Sequence, residues 1–264
     1  MNPIVRLALE EDIGTGDITT LACVPASQQA RGRFLAREPM TVAGLALLGE
    51  FYPSVTLRKI DGDRCADGEI LAEVSGDART LLTHERVALN FLQRLSGVAT
   101  LARQFADAVA GTGCKVLDTR KTTPGLRALE KAAAAAGGVT NHRMGLYDAV
   151  LIKNNHIAAA GGVRQAIERV RDAGREIEIE VRTRAELGEA LACGAHHLLL
   201  DNLTPAEAAE WVREIAGRAR VELSGRITLA TVRAYAETGA DFVSAGAITH
   251  SAKAMDISFR LELA

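Results

Sequence analysis

Aromatic residues are scarce in this sequence: one Trp, three Tyr and six Phe among 264 residues. A surface that stacks nucleic-acid bases would need more of them. Charge of one sign is also missing. Thirty-one Lys+Arg stand against 33 Asp+Glu, a formal charge of -2, whereas a general nucleic-acid binder is clearly basic. The four cysteines, Cys23, Cys65, Cys114 and Cys193, are far apart and form no CxxC pair. That spacing argues against a zinc site or a disulfide framework and fits the reduced thiols of a cytoplasmic protein. No apolar run reaches the roughly 18 residues that a membrane span needs. The opening stretch MNPIVRLALEEDIGTGD turns acidic too early for a secretory signal. What is present, 48% hydrophobic and 24% charged residues, suits a soluble globular chain of one large domain or two modest ones.

Two halves read differently. In the first, RGRFLAR (31–37), VTLRKI (55–60) and EILAEV (69–74) are short and strand-like, with turns at Asp61-Gly62-Asp63 and Asp67-Gly68. Val87, Phe91, Leu95, Val98, Ala102, Phe105 and Val109 then recur at helical spacing, with Gly97 marking either a break or a close contact. THERVALNFLQRLSGVAT (83–100) reads as the start of that helix. Arg86 would then sit near its N-terminus, where a cation is mildly unfavourable. EEDIGTGDITT (10–20) reads as a structural or dimer-forming turn. From Cys114 onward, strand and helix alternate. Apolar runs appear at 115–119, 149–153, 177–181, 197–201, 220–224 and 241–245, in units of about 20–27 residues, which implies a parallel sheet closing towards a barrel. One intervening helix opens with Thr204 as N-cap and Pro205 at its first position, and buries Ala208, Trp211, Val212 and Ile215.

Those six runs end at or beside Asp118, Lys153, Glu180, Asp201, Ser224 and Ser244. Strand ends of a β/α barrel converge on one mouth, where active sites are built. DTRKTTPGLR (118–127) adds Arg120 and Lys121, a planar fork and a point charge that suit a carboxylate or phosphate. GGVTNHRMGL (137–146) adds His142 and Arg143 in a glycine-bounded loop. Between Asp118 and Lys153 six cations face three acids, a cationic patch for an anionic small ligand. Lys153, in LIKNNHI, suits anion binding or Schiff-base chemistry, and these residues alone leave both open. Glu180 and Asp201 suit either Mg²⁺ opposite a polyphosphate or structural ion pairs. Ser224-Gly225-Arg226 and Ala245-Gly246 precede helices after the last two strands, a common place for a phosphate.

Taken in order, LEEDIGTGDITT, HERVALNFLQRLSGVAT, DTRKTTPGLR, NHRMGL, LIKNNHI, EIEV, LLLDN and AGAITHS closely resemble the quinolinate phosphoribosyltransferase family. The resemblance implies an α/β fold: an N-terminal α/β sandwich (1–112), an incomplete, open, TIM-like α/β barrel (113–250) and a tail (251–264) that returns to the first domain. It implies phosphoribosyl transfer from 5-phosphoribosyl-1-pyrophosphate to quinolinate, with decarboxylation to nicotinate mononucleotide on the de novo route to NAD. The family's quinolinate-binding cations fall on Arg86, Arg120, Lys121, His142, Arg143 and Lys153, with Arg86 donated by a neighbouring subunit of a homodimer, which could assemble further as a trimer of dimers. Its carboxylates for Mg²⁺ and ribose fall on Glu180 and Asp201, and its phosphate loops on Ser224, Gly225, Arg226, Ala245 and Gly246. Lys121, Lys153, Glu180 and Asp201 are the expected catalytic set. No nucleic acid or membrane partner is expected.

The sequence departs from the family's pattern at several places. Val139 replaces a third glycine, Ala132 and Ala135 replace a usual Tyr and Arg, Asn154 replaces an acid, and Arg226 replaces Gly or Asn. Three rival readings remain: a paralogue of the same fold linked to molybdate uptake, a Schiff-base aldolase using Lys153, and a non-catalytic phosphate-ligand sensor.

Overall fold

The computed structural model describes residues 1–264. Its strands are β1 Gln29–Ala36, β2 Met40–Thr41, β3 Ser54–Leu57, β4 Arg64–Cys65, β5 Ile70–Asp77, β6 Lys115–Leu117, β7 Val150–Ile152, β8 Ile177–Val181, β9 His197–Asp201, β10 Arg220–Ser224, β11 Phe242–Ser244 and β12 Ile257–Leu263. Its helices are α1 Pro3–Ile13, α2 Ile18–Cys23, α3 Leu48–Phe51, α4 Ala78–Ala108, α5 Arg127–Ala136, α6 Asn154–Ala160, α7 Val163–Val170, α8 Arg184–Ala192, α9 Pro205–Ile215, α10 Val232–Ala236 and α11 Ala247–His250. Two compact units result. The first comprises Met1–Arg103, Thr122–Gly138 and Ser251–Ala264, and the second Gln104–Lys121 and Val139–His250.

The first unit is built on an antiparallel sheet in the order β12-β1-β5-β3, beside a small β2-β4 pair. Strand β12 pairs with β1 from Ala30↔Leu263 to Ala36↔Ile257, so residues 257–263 complete the sheet that residues 29–36 begin. Phe34 is fully buried and packs against the tilted ring of Phe259 at 4.9 Å between ring centroids. Alternate residues of β1, Ala30, Phe34 and Ala36, join Leu71, Leu81, Leu92 and Ile257 in one core, as the period of two in a strand requires. The unit also takes in Thr122–Gly138, which the sequence boundary at 113 assigned to the barrel. Buried Glu130 of α5 explains that placement. It accepts from Arg94 Nη2 at 2.7 Å, from the Thr123 N–H at 3.0 Å and from Thr123 Oγ1 at 2.7 Å. Arg94 also donates to the Ala252 carbonyl at 2.8 Å. One buried ion pair thus ties α4, the loop before α5 and the returning tail, and a buried carboxylate persists only with such partners.

Helix α4 starts at Ala78, earlier than the sequence pattern suggested, with the Thr80 N–H bonded to Asp77 at 2.8 Å. Arg86 therefore lies in the third turn, exposed and beyond reach of the helix dipole, so the dipole argument for it falls away. Gly97 does not break the helix. A Cβ there would run into the Lys253 carbonyl, so this glycine marks a close backbone approach.

The second unit is a parallel sheet in the order β6-β11-β10-β9-β8-β7, with all six strands where the apolar runs placed them. Its edges, β6 and β7, do not pair with each other, so the barrel is open. The segment after Val139 enters beside β6: Thr140 bridges to Leu117, and its N–H donates to the Val116 carbonyl at 2.9 Å. Helix α9 begins as its sequence dictates. Thr204 and Glu207 form a reciprocal capping box with Pro205 at the first helical position, and Ala208, Trp211 and Ile215 are buried. Val212 is only half-buried. No helix is long and apolar enough to cross a membrane.

Gly97→Ala should destabilise the first unit by about 1–3 kcal/mol, because backbone must move to admit the methyl; a lowered midpoint in urea unfolding checks this. All four cysteines are free, with Cys23 exposed and Cys65 and Cys114 buried. Burial pushes the Cys114 thiol up to about 12 and raises Cys65, and the thiolate is the reactive form. An aromatic disulfide reagent at pH 8 should modify Cys23 in the native protein and reach Cys65 and Cys114 only after denaturant is added.

Candidate active site

The strand ends of the second unit surround a cavity of about 330 Å³. Arg120, Lys121, His142, Arg143, Lys153, Glu222, Ser224 and Ser244 line it with Thr119, Leu151 and Leu199. Residues from four strand ends and the intervening loops therefore meet as the parallel sheet demands. Arg86 lies in the first unit, on α4.

The loop that carries His142 and Arg143 hangs on one carboxylate. Asp118, with no exposed surface, accepts from Asn141 Nδ2 at 2.6 Å and from the His142 N–H at 2.8 Å. Further along, Asp148 accepts from the Met144 and Gly145 N–H groups at 2.6 and 2.8 Å, and Arg143 Nη1 donates to the Ala149 carbonyl at 3.2 Å. Val139 is buried and lies outside the left-handed backbone region, so the departure at this position costs the loop no strain.

Across the cavity, Lys121 is held by its backbone: Thr249 Oγ1 donates to its carbonyl at 2.8 Å. A Cβ on Gly246 would meet Lys121 Cδ at 2.8 Å, which is why a glycine stands beneath that side chain. Ala245 is buried, and its N–H donates to the Leu117 carbonyl at 3.1 Å. In the other loop, Gly225 has φ 103 and packs directly on Asn202, whose N–H donates to the Ser224 carbonyl at 2.9 Å. Arg226 follows with φ 51, a left-handed conformation that glycine and asparagine adopt more readily than arginine. The helices after these loops, α10 and α11, have five and four residues. Their dipoles are accordingly short, and loop N–H groups remain the donors for a phosphate.

The electrostatics suit an anion. Burial, then the neighbouring Arg120, pushes the Arg143 pKa down; like charges held together this way gain most when an anionic ligand arrives. Lys153 is 49% exposed and faces Glu180 at 3.5 Å. A Schiff-base lysine needs a desolvated setting, and Lys153 has an acid partner and open solvent instead.

Glu180 and Asp201 differ as candidates for a divalent cation. Both oxygens of buried Glu180 are taken, Oε1 by Arg182 at 2.8 Å and Oε2 by Lys153 at 3.5 Å. Glu180 thus anchors two cations, one on each oxygen. Asp201 Oδ2 accepts from Asn202 at 2.6 Å and faces Arg182 at 3.8 Å, while its Oδ1 makes no hydrogen bond or ion pair. One open carboxylate oxygen at a strand end fits Mg²⁺, which binds through one or two carboxylates and keeps its waters and phosphate ligands.

Sequence reasoning missed the floor of the site. Glu178 and Glu222 are 4% and 1% exposed, and both meet His142 Nε2, at 3.2 and 3.4 Å. The Arg143 N–H points at Nδ1, 2.7 Å away, so Nε2 is the nitrogen that faces the carboxylates with a proton. Burial raises the Glu178 pKa; at Glu222 burial acts the same way, but the hydrogen bond and charge of His142 outweigh it and the pKa falls. The signal lay in strand parity. Glu178 is two residues before Glu180, Glu222 two before Ser224 and His197 four before Asp201, so each shares the inward face of a strand-end residue.

Known proteins resemble this chain along its length. The family described as quinolinate phosphoribosyl transferase, N-terminal domain, matches residues 17–96, and its C-terminal counterpart matches residues 98–260. A protein named probable nicotinate-nucleotide pyrophosphorylase [carboxylating] from Bacillus subtilis is 41% identical over 96% of this chain and 90% of its own. A chloroplastic protein of the same name from Arabidopsis thaliana is 41% identical over 99% of this chain and 83% of its own. The crystal structure of NadC from Streptococcus pyogenes superposes with a TM-score of 0.93 at 40% identity, covering 99% of this chain and 96% of that one. On domain matches, identity and fold together, the chain belongs to the quinolinate phosphoribosyltransferase family.

Proposed function

We propose that this protein transfers the phosphoribosyl group of 5-phosphoribosyl-1-pyrophosphate to quinolinate with loss of CO₂, yielding nicotinate mononucleotide and pyrophosphate for NAD synthesis. The observation that carries the reading is the cavity itself, where Arg120, Lys121, Arg143 and Lys153 converge in a chain of this family. Both substrates are strongly negative, and a fixed set of cations cancels the repulsion between them. Arg120, Arg143 and Lys153 hold the two carboxylates of quinolinate and aim its ring nitrogen at the ribose C1. Lys121 meets the pyrophosphate. The two loops at Ser224-Gly225-Arg226 and Ala245-Gly246 hold the 5′-phosphate through the backbone N–H groups of Gly225, Arg226 and Gly246, with the Arg226 guanidinium adding a cation that family members with Gly or Asn lack.

Departure of pyrophosphate builds positive character on the ribose, as in glycoside cleavage. Asp201 would hold Mg²⁺ there, and the ion would supply charge neutralisation for that leaving group. Glu180 keeps Lys153 and Arg182 oriented at the rim. Once the nitrogen carries ribose, the pyridinium draws the electrons left behind when the 2-carboxylate departs as CO₂. No side chain need act as a nucleophile. The family's homodimer suits the exposed Arg86, which a neighbouring subunit would receive in its own active site. Four unpaired thiols are consistent with a cytoplasmic enzyme.

Purified protein with quinolinate, phosphoribosyl pyrophosphate and Mg²⁺ should release nicotinate mononucleotide, identified by mass, while nicotinate in place of quinolinate should give none. No product from either substrate, with the protein folded, would point to the molybdate-linked paralogue or a binding protein. Arg120→Ala should lower kcat/KM about 100-fold or more, as removal of a preorganised charge partner does, with an unchanged circular dichroism spectrum. A near-normal kcat/KM would take Arg120 out of the site.

A further inference from the structure

Behind the cavity at the strand ends lies a second one, of about 380 Å³. Glu176, Glu178, His197, Arg220 and Phe242, from the beginnings and middles of the strands, line it. His142 and Arg143 line both cavities. The inward side chains between the two form an unbroken series. Glu176 Oε1 is 3.3 Å from His197 Nδ1, and His197 Nε2 is 3.5 Å from Glu178 Oε1. Glu178 Oε2 is 3.2 Å from His142 Nε2, which is 3.4 Å from Glu222 Oε2. Glu176 is half-exposed and pairs with Arg220 at the solvent end. Glu222 closes the other end in the active cavity.

Two features of this series call for a role beyond packing. Glu178 Oε1 and His197 Nε2 are buried without a hydrogen-bond partner, and Glu222 Oε2 has only its long contact with His142 Nε2, although buried polar groups are nearly always satisfied. Each lies 3.4–3.5 Å from the next titratable group in the series. Moreover, Glu222 is the only carboxylate lining a cavity otherwise furnished with cations for an anionic substrate. At rest protonated His142 holds Glu222 ionised; an anionic substrate arriving beside that carboxylate favours transfer of the His142 Nε2 proton onto Glu222, which can then donate it.

We propose that these side chains are a proton relay, and that Glu222 delivers to the substrate the proton that replaces CO₂. This rests on the proposed activity, which consumes one proton per turnover inside the site. With ribose on the ring nitrogen, the bond from C2 to its carboxylate breaks, CO₂ leaves and the electron pair stays on C2. C2 takes the proton of the Glu222 carboxyl. Glu222 has that proton from His142 Nε2, and His142 is recharged from Glu178, Glu178 from His197 Nε2, and His197 from Glu176 and solvent through Nδ1. Glu222 is then a catalytic residue. His142, Glu178 and His197 supply it without touching C2.

Rapid-quench turnover of the full-length protein, reading pyrophosphate and nicotinate mononucleotide separately, tests the relay. Release of pyrophosphate by the wild type reports on the proposed activity; the ratio of the two products in variants reports on the relay. Glu222→Gln should slow nicotinate mononucleotide formation about 100-fold while pyrophosphate release changes little, so that the doubly carboxylated nucleotide accumulates. His197→Ala, remote from the active cavity and usable if the first variant fails to fold, should slow the same step about tenfold. It should also show an enlarged solvent deuterium isotope effect, and imidazole in the buffer should restore the rate. A parallel fall of both products in the variants, or a His197→Ala protein with unchanged product ratio and no response to imidazole, would overturn the proposal.

Discussion

The site depends on the burial of Asp118. Its carboxylate holds the Asn141 side chain and the His142 backbone together, and through them fixes the loop that occupies the open edge of the sheet beside β6. His142 and Arg143 have no strand of their own to place them. Remove that carboxylate, and the imidazole that meets Glu178 and Glu222 and the guanidinium that crowds Arg120 lose their common support. A carboxylate in so dry a setting survives because donors meet it. The same donors make it a precise ruler for the loop.

Charge is distributed in layers along the sheet. At the strand ends cations converge, and Glu180 holds two of them at the rim. One layer deeper, carboxylates alternate with imidazoles. A barrel interior is ordinarily filled by branched aliphatic side chains. Here the aliphatic residues Ile179, Leu198 and Leu223 of β8 to β10 are buried on the alternate face, and titratable groups share the inward face with Leu151 and Leu199. Stability and chemistry are thus assigned to opposite faces of the same strands, and the period of two keeps them apart.

That alternation explains what could be read beforehand. The six parallel strands were visible because each is an apolar run ending in a polar residue, and the cations of the cavity because DTRKTTPGLR and NHRMGL concentrate charge. The family resemblance supplied the open barrel, whose unpaired edges are three residues each and too short to declare their neighbours. Glu178 and Glu222 escaped notice because an acid inside a strand-like run reads as a solvent-facing position until the partner strand is placed beside it. That Thr122–Gly138 packs with the first unit was not legible, because Glu130 is indistinguishable in sequence from any exposed helix acid. Its burial follows from Arg94 and Thr123, which no local pattern connects to it. Gly97 was recognised as a marked position, and only the tail at Lys253 decided between break and contact.

The pairing of β1 with β12 has a consequence for biosynthesis. Residues 257–263 emerge from the ribosome more than two hundred residues after the strand they complete. Throughout that interval β1 is paired on one side only, by β5, and its other edge stays open while the whole parallel sheet of the second unit is being made. Such an edge invites pairing with another nascent chain. Arg31 and Arg33, set in the middle of β1, put charge on that edge, where it guards the strand against its neighbours on a polysome until its proper partner arrives.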